Sequence, residues 1–176
     1  MENNLALRKA GLVVAALSPA KREQIAVLSA ELVRHGPVTV LDGGDCFPYY
    51  RFARLSRVHT NEGALASRRL FIHRAFTCYQ MLALLESTPA LHQPYLVLEM
   101  LGTFYDEQVP EREVNRLLDA CLNQVKRLCL HAPVIILLSP PLLPERSHLL
   151  KRVHQQADQV FGLAEPVPEL IQPSLF

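Results

Sequence analysis

Tryptophan is missing from this 176-residue chain, and so are several patterns that mark common protein classes. The four cysteines never form a CxxC pair, which argues against a structural zinc site and a disulfide framework. No charged start followed by a long apolar segment marks a signal peptide. The most apolar stretch, residues 132–143, is interrupted by prolines and shorter than the roughly 20 residues of a membrane helix. We therefore expect a cytoplasmic protein, nuclear if eukaryotic, with no membrane span and with free thiols.

A large excess of charge is also missing, because 18 basic side chains stand against 17 acidic ones. Without a long-range field, binding of nucleic acid or an anionic membrane would need a local patch. Hydrophobic residues make up 49% of the chain, enough at this length to build a core without metal or disulfides. The composition predicts a single folded domain over residues 1–164, followed by a proline-rich tail at residues 165–176.

Short apolar runs alternate with segments of helical periodicity along the chain. Predicted strands lie at residues 12–17, 38–41, 70–72, 95–101 and 134–138, with a last strand or loop at 159–163. Predicted helices run from residue 18 to the Gly36-Pro37 stop and over residues 50–59, 77–86, 111–130 and 144–156, with a loop at 61–67. Strands that are apolar on both faces and short connections predict a three-layer α/β/α fold with a mainly parallel central sheet.

Four segments carry a family resemblance when they are taken in chain order. They are the strand and turn at residues 38–47, the Arg74-Ala75-Phe76 run within residues 72–80, the strand at 95–99 and the strand at 134–139. Together they resemble the RecA-like recombinase ATPases, above all the RadA branch. In that family the corresponding segments are the second core strand, a strand ending in Ala-Arg-Ala-Phe/Tyr, the Walker B strand and a nucleotide-sensing strand. The resemblance covers roughly residues 11–163 and implies a RecA-like, P-loop-NTPase-like core.

The phosphate-binding loop of that family is not found in this chain. Such a loop needs glycines that let backbone N–H groups wrap phosphates, a lysine, and a Ser or Thr hydroxyl for magnesium. At the matching place the chain reads Leu-Ser-Pro-Ala-Lys-Arg-Glu at residues 17–23, without glycine. By the resemblance, Ser18, Lys21 and Arg22 are what remains of the loop, and Glu23 stands where the magnesium hydroxyl is expected. A carboxylate there would repel a nucleoside triphosphate.

Two further nucleotide-site positions depart from the family pattern. The register set by Asp42 and Phe47 places Gly44 where the family carries the carboxylate that orients the attacking water. Glu99 stands in for the Walker B aspartate, which helps to hold magnesium in phosphoryl transfer. The resemblance therefore implies a degenerate nucleotide site at Ser18, Lys21, Arg22, Gly44 and Glu99. No enzymatic activity, catalytic residue, cofactor or metal is expected.

Two carboxylates of this region, those of Asp45 and Glu99, also have structural interpretations. Asp45 is next to the missing base, but an aspartate in a turn commonly bonds its own backbone. Glu99 is interpreted as a strand-end carboxylate paired with a neighbouring base such as Lys126 or Arg127.

A locally basic segment suggests where a non-catalytic protein would act. Between residues 51 and 74 the only acidic side chain is Glu62, whereas six arginines are candidates for nucleic-acid binding: Arg51, Arg54, Arg57, Arg68, Arg69 and Arg74. Arginine pairs its planar fork with phosphate oxygens, and nearby aromatic rings can stack on bases. Those rings are Phe47, Tyr49, Tyr50 and Phe52. The alternative is a solvated helix face above core aromatics.

Protein partners are the competing expectation. RecA-like ATPases assemble head to tail, and nucleotide-free relatives, such as recombinase paralogues and the cell-division inhibitor SulA, reuse such surfaces. The tail at residues 165–176 is too short to fold alone, so its Leu170-Ile171 and Leu175-Phe176 pairs anchor on its own domain or on a partner.

The sequence thus predicts a non-catalytic accessory protein of DNA recombination or repair. Its expected partners are DNA, a RecA-like recombinase or another copy of itself. One alternative is a filament-capping, SulA-like regulator that does not bind DNA, and the second is a weak ATP-binding ATPase.

Overall fold

Six parallel strands form one sheet at the centre of the molecule. A computed structural model of the chain describes residues 10–17, 22–59, 63–141 and 144–161. The strand order is β3-β2-β4-β5-β1-β6. The strands are β1 (Gly11–Ala16), β2 (Val38–Asp42), β3 (Leu70–Arg74), β4 (Tyr95–Leu98), β5 (Pro133–Leu138) and β6 (Gln159–Phe161).

Helices cover both faces of this sheet and enclose two hydrophobic cores. The helices are α1 (Arg22–His35), α2 (Tyr49–His59), α3 (Gly63–Arg69), α4 (Cys78–Ser87), α5 (Glu111–Cys129) and α6 (Ser147–Gln156). One core joins the sheet to α1, α2 and α3, and the other joins it to α4, α5 and α6. The prediction of a three-layer α/β/α fold is confirmed, and the architecture is compatible with a RecA-like core.

The period-two alternation of the strands explains how one sheet serves two cores. In β2 all five residues are buried. Val38 and Val40 pack in the core of α1, whereas Leu41 belongs to the core of α4 and α5. The long helix α5 buries a stripe at helical spacing, formed by Val114, Leu117, Leu118, Cys121, Leu122, Val125 and Leu128.

Two segments differ from the sequence prediction. Residues 61–67 were expected to be a loop, but Gly63–Arg69 form α3, whose Ala66 packs into the core beneath α1 and α2. The strand expected over residues 95–101 ends at Leu98, and Glu99 adopts a left-handed backbone with φ 48°. A short 3-10 turn, Met100–Phe104, follows it. Apolar periodicity cannot show this break, because Met100, Leu101 and Phe104 remain buried.

Within the described part of the chain, the cysteines and the helices bear on two expectations, that the chain has no disulfide framework and no membrane span. None of the four cysteines, which all lie in the described ranges, is in a disulfide, and Cys78 and Cys121 are fully buried. Burial raises the pKa of Cys121 to about 12. None of the described helices is long and apolar enough to cross a membrane.

Candidate functional site

Site residues from distant parts of the sequence meet at the carboxyl edge of the sheet. Asp42 ends β2 and Arg74 ends β3, while Glu99 follows β4 and Ser139 follows β5. These four strands are neighbours in the sheet and run parallel, so their carboxyl ends lie side by side. In open α/β sheets this edge is where ligands usually bind.

Asp42 uses its carboxylate to build the turn that follows β2. The side chain is fully buried. Its Oδ1 accepts hydrogen bonds from the backbone N–H groups of Gly44 and Cys46, both at 3.2 Å, and its Oδ2 accepts one from Phe47 at 3.1 Å. These donors satisfy the buried carboxylate and fix the path of the chain, so Asp42 has a structural role here.

Asp45 lies at the tip of this turn and binds an arginine from the next strand. Its backbone is left-handed, with φ 46°, and its Oδ1 lies 3.0 Å from Nε of Arg74. The same Nε is 3.9 Å from Oδ2 of Asp42. The carboxylate that caps the turn is therefore Asp42, and Asp45 instead ties the ends of β2 and β3 together.

Glu99 directs its carboxylate at the end of β5. The backbone N–H of Ser139 donates to Oε2 at 3.1 Å, and the Ser139 hydroxyl donates to Oε1. The expected pairing of Glu99 with a base such as Lys126 or Arg127 is not seen among the described residues. Arg127 instead donates to the carbonyl oxygens of Leu85 and Thr88 at the end of α4. Glu99 thus holds two strand ends together.

The glycines after β2 allow Glu99 to approach closely. A Cβ atom on Gly44 would lie 2.8 Å from Cβ of Glu99, and one on Gly43 would lie 2.8 Å from its carbonyl oxygen. The resemblance places Gly44 at the position of the missing base. In the structure, its lack of a side chain leaves room for the side chain of Glu99. Nearby, burial and then the Glu99 charge raise the pKa of Tyr105 to about 12.

Most of the segment that corresponds to the phosphate loop, residues 18–21, lies outside the described residues. Ser18 and Lys21 lie outside them, and Arg22 is described only as the first residue of α1. Leu17 donates its N–H to the carbonyl oxygen of Leu138 at 2.7 Å, so this segment starts beside the end of β5.

Three of the six predicted nucleic-acid-binding arginines bind groups of the protein itself. Arg51 pairs with Glu23 of α1, and Arg74 pairs with Asp45. Arg69 donates to the carbonyl oxygens of Val33 and Arg34 in the last turn of α1, at 3.2 and 3.4 Å. A cation at the carboxyl end of a helix interacts favourably with the helix dipole.

The other three arginines, Arg54, Arg57 and Arg68, are exposed. They form no ion pair or hydrogen bond with any residue in the described ranges. We call them the α2–α3 basic surface.

The aromatic candidates fall into two groups. Phe47 and Phe52 are core residues with ring centroids 5.9 Å apart. Tyr49 and Tyr50, by contrast, are exposed at the start of α2, Tyr50 by 91%.

A groove that the sequence did not reveal lies beside β3, over the part of the sheet where β3 pairs with the start of β2. Its volume is about 460 Å³, and Phe71, His73, Leu84, Thr88, Leu91 and Gln93 are among its lining residues. Phe71 is 47% exposed and Leu91 45% exposed, which is high for large apolar side chains. The lining residues come from the start of β2 and the residue before it, from β3, from α4 and from the segment before β4, which no local motif links.

Comparison with known proteins adds no identity to this geometry. No protein-family model and no curated protein matches the chain. Within the described ranges, no three His, Cys, Asp or Glu side chains are placed to share a metal ion. At the carboxyl edge, the described carboxylates accept hydrogen bonds or pair with cations of the chain itself.

Proposed function

We propose that this chain is a non-catalytic accessory protein of DNA recombination or repair, built on a RecA-like core, and that it binds DNA through the α2–α3 basic surface. The observation that carries this proposal is the division of the arginines. Three neighbours of the surface are used within the protein, whereas Arg54, Arg57 and Arg68 are exposed without a protein partner in the described ranges.

The carboxyl edge supports the non-catalytic part of the proposal. Phosphoryl transfer needs carboxylates that can hold magnesium or orient water. Asp42 already accepts three backbone hydrogen bonds, and Glu99 accepts two from Ser139. Both carboxylates thus already hold parts of the chain in place, Asp42 the turn after β2 and Glu99 the end of β5.

DNA is the anion that suits the basic surface best. Three exposed arginines on two packed helices offer phosphate contacts, and the exposed Tyr49 and Tyr50 lie on the same helix as Arg54. Arginine pairs bidentately with phosphate, and stacking on tyrosine adds about 1–3 kcal/mol per base where it occurs.

Fluorescence anisotropy with labelled single-stranded and duplex DNA tests this proposal. If three phosphates are neutralised, the slope of log K against log salt should be about −2 to −3. The triple variant Arg54→Ala, Arg57→Ala, Arg68→Ala should remove most of the affinity and most of this slope.

A matched control removes the same charge elsewhere. Arg112, Lys126 and Lys151 are exposed residues of α5 and α6, on the opposite face of the sheet. Their combined change to alanine should leave DNA affinity close to that of the unmodified chain. Equal losses in the two triple variants would show a non-specific charge effect, and an absence of binding at low salt would refute the proposal.

Binding of a partner protein, including a RecA-like recombinase, is the second candidate function. It is favoured by the apolar groove beside β3, which lies on the face opposite the basic surface. Co-purification with a recombinase that is lost in Leu91→Glu but kept in the arginine triple variant would support it. Retention of the recombinase by Leu91→Glu would count against this role of the groove.

A further inference from the structure

A cleft between α1 and α2 lies directly beside the α2–α3 basic surface. Its volume is about 350 Å³, and it is lined by Glu23, Val27, Arg51, Arg54 and Leu55. We call it the α1–α2 cleft. Arg54 belongs to both features, because it lines the cleft and is one of the three exposed arginines of the basic surface. A ligand that binds Arg54 therefore lies next to the cleft.

The α1–α2 cleft suits an uncharged group better than an anion. Val27 is 57% exposed and Leu55 is half-buried, so both offer apolar surface. Arg51 pairs with Glu23 across the two helices, one helical turn before Leu55 on α2 and before Val27 on α1. This ion pair is neutral as a whole. The carboxylate of Glu23 would repel a phosphate that entered the cleft.

A nucleobase of the proposed DNA ligand has the required properties. It is uncharged and planar, and it is joined through its sugar to a phosphate that Arg54 can bind. The cleft volume lies near the lower end of the range for small-molecule pockets, about 300–1,000 Å³. Bases that leave a stack are commonly held between apolar or aromatic side chains. The cleft therefore combines an apolar slot with a phosphate contact at its side.

The base in question has to be unpaired. In a duplex each base is stacked and paired, and it reaches a protein pocket only if it is flipped out of the helix. Tyr50 is 91% exposed and lies four residues before Arg54, on the same face of α2. Its ring can stack on a further base of an unpaired strand. Tyr50 and the cleft thus both favour single-stranded DNA.

We infer that the α1–α2 cleft binds one unpaired base of a DNA strand whose phosphates lie on the α2–α3 basic surface. This inference rests on the proposed function and adds the class of DNA that the surface selects. Arg57 and Arg68, which do not line the cleft, contribute charge alone. Val27 and Leu55 contribute the contact with the base. The dependence of affinity on charge and its dependence on bases should therefore be separable.

Fluorescence anisotropy with two labelled strands of equal length tests the cleft. One strand is oligothymidylate, and the other is the same sugar–phosphate chain without bases. We expect oligothymidylate to bind the full chain about tenfold more tightly, as expected for the contribution of a base contact. Val27→Gln should remove most of this difference at unchanged charge, because a longer polar side chain occupies the cleft.

Leu130→Gln is the matched control for this variant. Leu130 is also an exposed apolar residue, 78% accessible, and it follows α5 on the opposite face of the sheet. This variant should keep the tenfold preference. Arg57→Ala with Arg68→Ala should weaken binding of both strands by the same factor and should also keep the preference. Circular dichroism should show an unchanged fold in each variant, since all four side chains are exposed.

Three outcomes would overturn the inference, and they differ in what they say about DNA binding. Equal, salt-dependent affinity for the two strands would refute base binding in the cleft and would leave phosphate binding by the arginines intact. A preference for oligothymidylate that survives in Val27→Gln would place the base contact elsewhere on the protein. No binding of either strand at low salt would refute the proposed function itself, and the inference with it.

Discussion

The carboxyl edge of the sheet and the α2–α3 basic surface both concentrate charged side chains, but they satisfy them differently. At the carboxyl edge, Asp42 and Glu99 accept hydrogen bonds from the chain, and Asp45 pairs with Arg74. On the basic surface, three arginines face solvent without a described partner. Charges already bonded within the protein stabilise the fold, whereas charges left in solvent remain available for a ligand.

Asp42→Ala should give the largest effect on stability. It leaves three N–H groups of the turn without their acceptor, and each such group costs about 1–3 kcal/mol where it stays buried. We expect the free energy of unfolding to fall by about 3 kcal/mol or more. Urea denaturation followed by circular dichroism measures it, since the chain lacks tryptophan. Asp42→Asn keeps one acceptor oxygen and should lose less. Losses below about 1 kcal/mol in both variants would contradict a structural role for this carboxylate.

Gly43→Ala should show how tightly the turn and Glu99 approach. The new methyl group would lie 2.8 Å from the Glu99 carbonyl oxygen, so the backbone must shift. Overpacking of this kind costs about 1–3 kcal/mol in unfolding free energy. Gly36→Ala is the control, because nothing lies within 4 Å of its Cβ position. Equal stability of the two variants would mean that the approach is not restrictive.

Glu99→Gln and Ser139→Ala test the bond between the ends of β4 and β5. A hydrogen bond to a charged group contributes about 1.5–3 kcal/mol, and partial exposure of Glu99 should reduce the loss to about 1–2 kcal/mol. The double variant should lose less than the sum of the single variants, because both changes act on the bond between the Ser139 hydroxyl and the Glu99 carboxylate. Strict additivity in the denaturation data would argue that the two side chains act independently.

The smallest effects on the free energy of unfolding should come from the arginines. They should differ between Arg69, which bonds α1, and the arginines of the α2–α3 basic surface. Arg69→Ala removes hydrogen bonds to the last turn of α1, and we expect a loss of about 1 kcal/mol. The triple change of Arg54, Arg57 and Arg68 should alter the unfolding free energy by no more than about 0.5 kcal/mol. If the triple variant were the less stable one, the basic surface would be structural and its use for DNA binding would need another explanation.

Much of the fold could be predicted from the sequence because its signals are local. The alternation of β-branched runs with helical periodicity predicts the parallel sheet, and α5 is visible from the spacing of Val114 to Leu128. The break of β4 at Glu99 could not be predicted, since it depends on contacts with Gly43 and Ser139 that are remote in sequence. Likewise, α3 depends on packing beneath α1 and α2.

The candidate site divides along the same line. Composition alone concentrates the arginines between residues 51 and 74, and this concentration is a property of the sequence. It could not separate Arg51, Arg69 and Arg74 from Arg54, Arg57 and Arg68, because the partners of the first three lie on other elements. Nor could it identify the groove, because its lining residues come from β2, β3, α4 and the segment before β4.

The sequence by itself determined the α/β class, the order of most elements, the absence of a glycine-rich phosphate loop and the local excess of arginine. These follow from residue type and short-range spacing. Only the tertiary structure decided that Asp42 caps a turn, that Glu99 bonds Ser139 and that β3 leaves an apolar edge open. The reason is physical: whether a charged or apolar group is satisfied depends on the neighbours it meets after folding, and those neighbours come from distant parts of the chain.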